Sequence, residues 1–336
     1  MSKIRALKSK QVIDGYRTIH DGVVVIADGK IQAVGAQKTT PIPEGAEVVD
    51  YGDNVISPGF IDIHIHGYKG LRANSSLENT MGLAEFITQG GTTSFLPTVD
   101  SVPGVRYAYE GAELQKKEGY KGAAIRGSHM EGPFLSPKNL PGRPEADSSL
   151  LPPSIELFDE FWEASHGQIK MVDIGIDRPG AFELTRHMRD LCIVVSIAHS
   201  KSGYDLMMEA MEHGVTHATH LYNAMTPFTH RSPGVVGAVF DSDIDAEMIS
   251  DGIHLDPAVV REAEITIKYA GYIGRQLRQV EEMKRLEERP LPEDMDYLSL
   301  AGIRLEARQK LQEIRPLNLG QASRVSGVSP ADVAVL

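Results

Sequence analysis

"FIDIHIHG" (residues 60–67) alternates side-chain character residue by residue and ends on a glycine. A period of two marks a β-strand, and residues two apart on a strand point the same way. His64 and His66 therefore share one face, where both imidazoles can reach a single ion. Alone, such a pair arises more often by chance or as hydrogen-bonded structural histidines. Six further strand-like runs give it weight: "GTTSFLPT" (91–98), "AAIRGSHMEG" (123–132), "IKMVDIGI" (169–176), "CIVVSIAHS" (192–200), "VTHATHLYN" (215–223) and "AEMISDGIH" (246–254). Helix-like segments separate them, as in 203–213, where Leu206, Met207, Ala210 and Met211 recur at helical spacing. This alternation from Gly59 to His254 predicts a parallel α/β fold. Polar residues at the strand ends predict a TIM-like (β/α) barrel with its site on that face.

Glu131 in "SHMEGPF" (128–134) follows one of these strands, and His199 and His220 end two others. Singly, Glu131 reads as a helix-start carboxylate or ion-pair partner, and each histidine as structural. Together, His64, His66, Glu131, His199 and His220 emerge at the same end of the sheet, which gathers them around one cavity. Nitrogen and carboxylate donors without cysteine suit one or two divalent ions, Zn²⁺, Fe²⁺, Mn²⁺ or Co²⁺, with no ground for choosing among them. Such an ion activates water toward an amide or ester carbonyl.

Bulk properties narrow the class. The 336 residues are 41% hydrophobic and carry a net charge of −12, which argues against broad binding to nucleic acid or anionic membrane. One cysteine, Cys192, excludes an internal disulfide framework and suits a cytoplasmic location. "MSKIRALKSK" (1–10) is basic with no apolar run behind it, so no signal peptide is expected, and no run is long enough to span a bilayer. The averages conceal a split. All 12 histidines lie at or before His254, and all 9 phenylalanines at or before Phe240. Residues 264–336 hold 11 basic and 11 acidic side chains, so the negative charge belongs to the preceding part. The short β runs "DGVVVIADG" (21–29) and "KIQAVG" (30–35) predict a small antiparallel β unit over 1–57, followed by a barrel over 58–263 and an all-α tail over 264–336.

In the tail, Ile273, Leu277, Val280, Met283 and Leu286 form a helical stripe, the loop "RPLPEDMDY" (289–297) follows, and a helix is expected over Leu305–Ile314. After a turn at Arg315-Pro316, Ser329-Pro330 opens a last helix with an N-cap and proline at its first position.

The ordered set "PGFIDIHIHG", "HMEGPFLSP", "GVTHATHLYNAM", "RSPGVVGAVFDSD" and "DGIHLDPAVVR" resembles the N-acetylglucosamine-6-phosphate deacetylases of the amidohydrolase superfamily, up to about Ala263. The resemblance implies a distorted barrel beside a small β-sandwich, a homodimer, and metal ligation by Glu131, His199 and His220. His64 and His66 occupy a pair that some members replace, and they permit a second metal. Asn223 and the backbone of Ala224 are implied near the sugar phosphate. Arg231 resembles a phosphate-binding arginine that can reach across a dimer, and His254 a sugar-contacting histidine. Read alone, Arg231 is a solvated loop charge and His254 a capped strand-end histidine. Where members carry Lys-Gly-Ala-His, this chain reads "NLPGRPEADSS" (139–149), leaving Arg143 as a speculative stand-in.

Family members also place a general-base aspartate in a Thr-Asp-Ala-type turn after the DGIH motif. No such turn occurs here: Asp256, Asp294, Asp296 and Asp332 end no apolar strand, and Asp251 is not the matching position. An eighth strand is likewise missing. The barrel is expected to stand open, and residues 23–34 to lack the partners the sandwich would supply, unless "EITIKYA" (264–270) forms a patching strand. Instead, "IKYAGYIGRQ", "LPEDMDY" and "EARQKLQEIRPLNLGQASRVSGVSPADVAVL" resemble the C-terminal helical domain of the flavoenzyme that modifies the tRNA wobble uridine (glucose-inhibited division protein A), so the chain reads as chimeric. That resemblance implies contact with tRNA or a partner GTPase. Its candidate phosphate contacts are Arg304, Arg308, Lys310, Arg315 and Arg324, which read equally well as a solvated charged face.

Overall fold

A computed structural model of the chain describes residues 4–117, 119–137 and 149–336, so Arg143 lies outside the described residues. The chain divides into two compact units, Met1–Ile249 and Ser250–Leu336.

The first unit opens with a five-stranded sheet of β1 (Ile4–Ile13), β2 (Thr18–Ala27), β3 (Lys30–Ala36), β4 (Glu47–Asp50) and β5 (Val55–Ile56). β1, β2 and β3 form an antiparallel meander, while β4 and β5 pair with β1 in parallel. The basic start of the chain forms the central strand, β1. It survives as one because its polar side chains are interleaved with Ala6 and Val12, which are buried. Within this sheet Val23–Val25 pair with β1 on one side and β3 on the other, and β3 is the edge strand. Ala6, Val23 and Val25 make the small core of this sheet, with Ile4 and Ala33 against it.

Next comes β6 (Phe60–Ile65), a short ribbon of β7 (Gly67–Tyr68) and β8 (Leu71–Arg72), and then helices alternating with strands. In order these are α1 (Leu77–Phe86), β9 (Thr92–Val99), α2 (Val102–Leu114), β10 (Ala124–Ile125), β11 (Ser128–Glu131), α3 (Ile155–Ala164), β12 (Ile169–Ile174), α4 (Ala181–Asp190), β13 (Val194–Ile197), α5 (Tyr204–His213), β14 (Val215–Ala218), α6 (Gly234–Phe240) and β15 (Asp245–Ala246). Ser76, Ser101 and Ser154 cap α1, α2 and α3, each accepting a first-turn backbone N–H. All pairs in this sheet are parallel: β6 joins β9, which borders β10 and β11, and β12, β13, β14 and β15 follow in sequence order. β9 and β12 are buried along nearly their whole length, as strands covered on both faces must be. Phe95, Phe134, Phe158, Leu184 and Met188 are wholly buried in the core between sheet and helices. This is the TIM-like arrangement without its last strand.

β15 is far shorter than the expected strand over 246–254. Among the described residues its outer edge has no strand to pair with. Beyond it, the Asp251 carboxylate accepts the N–H groups of Ile253 and His254, which turns the chain, and Gly252 takes φ +75°, a left-handed conformation open to glycine.

In the second unit, α7 (Pro257–Glu287) is a single helix of 31 residues that includes 264–270, so "EITIKYA" is helical rather than a patching strand. The compositional boundary at 263/264 falls inside it. Ile273 and Leu277 of the expected stripe lie outside the described side chains. Val280 and Met283 are exposed rather than buried, whereas Leu286 packs against the helical core. α8 (Leu305–Ile314), α9 (Leu319–Ser323) and α10 (Pro330–Val333) complete the unit around Tyr297, Ile303, Ala307, Leu311 and Leu319. Ser329 and Asp332 form the capping box that starts α10. Leu311 is fully buried, so Leu311→Ala is expected to cost about 2–5 kcal/mol. Urea denaturation followed by helical circular dichroism measures it, and an unchanged midpoint would contradict this core. No described helix is long and apolar enough to cross a membrane.

Candidate metal centre

β6 and β11 end on His64-x-His66 and Glu131, and His199 and His220 follow β13 and β14 within two residues. Glu131 sits at the centre. Its Oε1 lies 3.0 Å from His199 Nε2 and 3.1 Å from His220 Nε2. Its Oε2 lies 2.7 Å from His66 Nε2 and 3.4 Å from His64 Nε2. Burial alone would raise the Glu131 pKa, but the surrounding histidines outweigh it and hold the carboxyl far below its ordinary range. All five metal residues expected from the sequence thus meet.

Backbone strain accompanies this convergence. His199 and His220 take φ +43° and +37°, and Tyr222 and Ala224 also have positive φ. Left-handed conformations cost a non-glycine residue energy, and they persist where the surrounding structure fixes a site. Directly after Glu131, Gly132 takes φ +107°, a region that side chains disfavour.

A second layer lies deeper along the strands and was missed in the sequence. His129 and Asp173 are fully buried, with His129 Nε2 at 3.0 Å from Asp173 Oδ2. Burial lowers the His129 pKa, but Asp173 reverses this and raises it. Just past β15, Glu247 Oε1 lies 2.8 Å from His217 Nε2 and Oε2 3.6 Å from His64 Nδ1. The end of the first strand thus touches the end of the last, so the sheet is rolled even though, among the described residues, no further strand joins its edges. Burial would raise the Glu247 pKa, but His217 and His64 hold it down at about 2. For His64, burial lowers the pKa, but Glu131 and Glu247 outweigh it and raise the value to about 10. His129 had a visible signal, being two residues before Glu131 on one strand and so on the same face. Asp173, His217 and Glu247 had none beyond lying on predicted strands.

The substrate residues expected from the sequence fall in both units: Asn223, Ala224 and Arg231 in the first, His254 in the second. The Asn223 N–H donates to the His220 carbonyl at 2.9 Å, and its Nδ2 is buried without a hydrogen-bond partner. Ala224 and Arg231 are exposed, Arg231 inside the Thr229–Ser232 turn. His254 is exposed in the second unit, its Nδ1 2.7 Å from Asp251 Oδ2.

The donor set fits a divalent ion. Glu131, His199 and His220 offer ligand atoms within 4.8 Å of one another, as do His64, His66 and Glu131. The Nδ1 atoms of His199 and His220 are buried without partners, so no competing hydrogen bond from them holds these rings. Imidazoles around a carboxylate at the strand ends of a rolled parallel sheet define a metallohydrolase architecture. Comparison with known proteins refines that class. Residues 55–295 match the amidohydrolase family model, and 279–336 match the C-terminal helical bundle of the tRNA modifying enzyme MnmG/GidA. N-acetylglucosamine-6-phosphate deacetylase of Bacillus subtilis (strain 168) is 34% identical over 270 residues, 78% of this chain and 67% of the relative. Its counterpart from Lysinibacillus sphaericus is 32% identical over 71% of this chain, which spans 62% of that protein. The crystal structure of the Mycobacterium smegmatis deacetylase aligns with TM-score 0.68 at 27% identity, over 78% of this chain and 73% of that one. The chain belongs to the amidohydrolase family, in its N-acetylglucosamine-6-phosphate deacetylase branch, and carries a helical tail of MnmG/GidA type.

Proposed function

We propose that this chain hydrolyses N-acetylglucosamine 6-phosphate to glucosamine 6-phosphate and acetate, with a divalent ion held by Glu131, His199 and His220. The observation that carries the reading is the Glu131 carboxylate, with one oxygen facing His199 and His220 and the other facing His66 and His64. When bound, a divalent ion supplies Lewis-acid activation of water and of the acetamide carbonyl. Glu131 contributes the negative charge and the histidines neutral nitrogen donors. Asn223 has a free amide donor for the sugar, and the backbone of Ala224, Arg231 and His254 are the further substrate contacts this reading assigns. It takes a homodimer in the cytoplasm as the working form, 58–263 as the catalytic part and 264–336 as the tail.

Expelling the amine requires a proton as the C–N bond breaks, and the aspartate that family members use for it has no counterpart here. Loss of such a group costs ~10²–10⁴-fold in rate. The expected result is therefore slow, metal-dependent acetate release, measured with the full chain and 1:1 metal. The missing aspartate also favours a second reading, a sugar-phosphate binder without turnover. Ligand binding with no acetate above the metal-only control would establish that reading, and absence of both would sink the two together.

A tRNA role for the tail has weaker support. Arg304 is paired with Asp332, Arg324 with Glu287 and Lys310 with Glu313, while Arg308 and Arg315 donate to the Leu298 and Glu293 carbonyls. Each candidate phosphate contact already has a partner inside the unit.

A further inference from the structure

We propose that the chain holds another divalent cation at a buried site formed by His129 Nε2, Asp173 Oδ2 and His64, one step deeper along the strands than the Glu131 cluster and sharing His64 with it. The inference goes beyond the deacetylase reading, because it concerns where cations sit and not turnover.

Both buried donors are held as metal ligands are held. His129 Nδ1 lies 2.8 Å from the Ile63 carbonyl, which can only accept, so Nδ1 carries the proton and Nε2 points away from it. Thr219 Oγ1 donates to Asp173 Oδ1 at 2.6 Å and is itself 2.7 Å from Ser196 Oγ. That hydroxyl pair fixes the carboxylate through Oδ1 and leaves Oδ2 facing His129. An imidazole oriented through its other nitrogen, and a carboxylate oriented through its other oxygen, are the outer contacts that position ligands around an ion.

Nε2 and Oδ2 then face each other. They stand 3.0 Å apart, yet both are buried without a hydrogen-bond partner, because their alignment is not that of a hydrogen bond. Two ligands of one tetrahedral ion, each ~2.0–2.2 Å from it, stand about 3.3 Å apart, so a shift of a few tenths of an ångström admits the ion. Leaving two such polar atoms unsatisfied in a dry interior is unfavourable, and a cation satisfies both at once. His64 supplies the third donor: its ring meets His129 edge to face with centroids 4.7 Å apart, and the three ligand atoms lie within 4.8 Å of one another. Two imidazoles and one carboxylate select borderline divalent ions such as Zn²⁺ or Co²⁺ over Mg²⁺ or Ca²⁺.

The test is anomalous scattering at the metal edge from crystals of the unaltered full chain grown with excess Zn²⁺, and again with Co²⁺. The expected map has a peak within bonding distance of His129 Nε2 and Asp173 Oδ2, distinct from any peak at Glu131, His199 and His220. A map with density only at Glu131, or with one ion spanning His64, His66 and Glu131, would overturn the proposal. Metal content gives an independent reading: Asp173→Asn, with its fold checked by circular dichroism, is expected to lose one bound ion per chain and keep the other. Full retention of both ions in that variant would also overturn it.

Discussion

Glu131→Gln is expected to leave the chain folded but unable to retain a divalent ion at the strand-end cluster. The substitution keeps the side chain's size and removes its charge. Among the described residues, that charge is the one negative group facing His199, His220, His66 and His64 together. A neutral amide oxygen is a poor substitute for a carboxylate in a nitrogen-rich site. The fall in affinity should exceed the ~10–100-fold that loss of an outer partner costs, because an inner donor is lost. Metal content after gel filtration measures the effect, alongside acetate release. A variant that keeps its strand-end metal would move the centre away from Glu131, whatever its activity.

The second large effect is a dependence of metal affinity on pH. In the metal-free protein the His64 pKa is raised to about 10, since the carboxylates of Glu131 and Glu247 outweigh the burial that would lower it. At neutral pH His64 is therefore an imidazolium beside Glu131. An arriving cation must displace that proton, whether His64 becomes a ligand or only a neighbour. The sign follows: affinity is lowest in acid and rises with pH up to about 10, by about tenfold per unit for each proton released. Competition against a chelator at three pH values, corrected for the chelator's own protonation, gives the slope. His64→Asn should reduce it by one proton. A slope already flat between pH 6.5 and 8.5 would show that His64 is not the group displaced.

Much of this centre was legible from spacing. His64-x-His66 required only the period of a strand, and Glu131, His199 and His220 required only the rule that strand ends gather. The deeper pair was harder to see. Asp173 lies within an apolar run, where a carboxylate reads as an interruption until Thr219 and His129, remote in sequence, are brought beside it. Glu247 was hidden for another reason: the expected strand over 246–254 put it near the start, whereas the strand stops at Ala246 and leaves it at the mouth. Strand ends at an unpaired edge depend on what pairs with them, and local sequence says little about that. Ile4–Ile13 was hidden for a third reason: interleaved lysine and arginine mask a strand that buries only Ala6, Ser9 and Val12.

The helix Pro257–Glu287 has a consequence for how two ancestries can share one chain. The compositional boundary at 263/264 lies within it, and the two family matches overlap over 279–295, beginning on the same helix. A splice in a β-strand must match a neighbour's register, because its hydrogen bonds are made to another segment. A splice in a helix has no such external template, since each backbone bond closes four residues away within the same segment. Recombination points on helices are thus tolerated without co-inherited partners. Grafting other helix-initiated modules at this position should succeed more often than grafting at any strand of the preceding sheet.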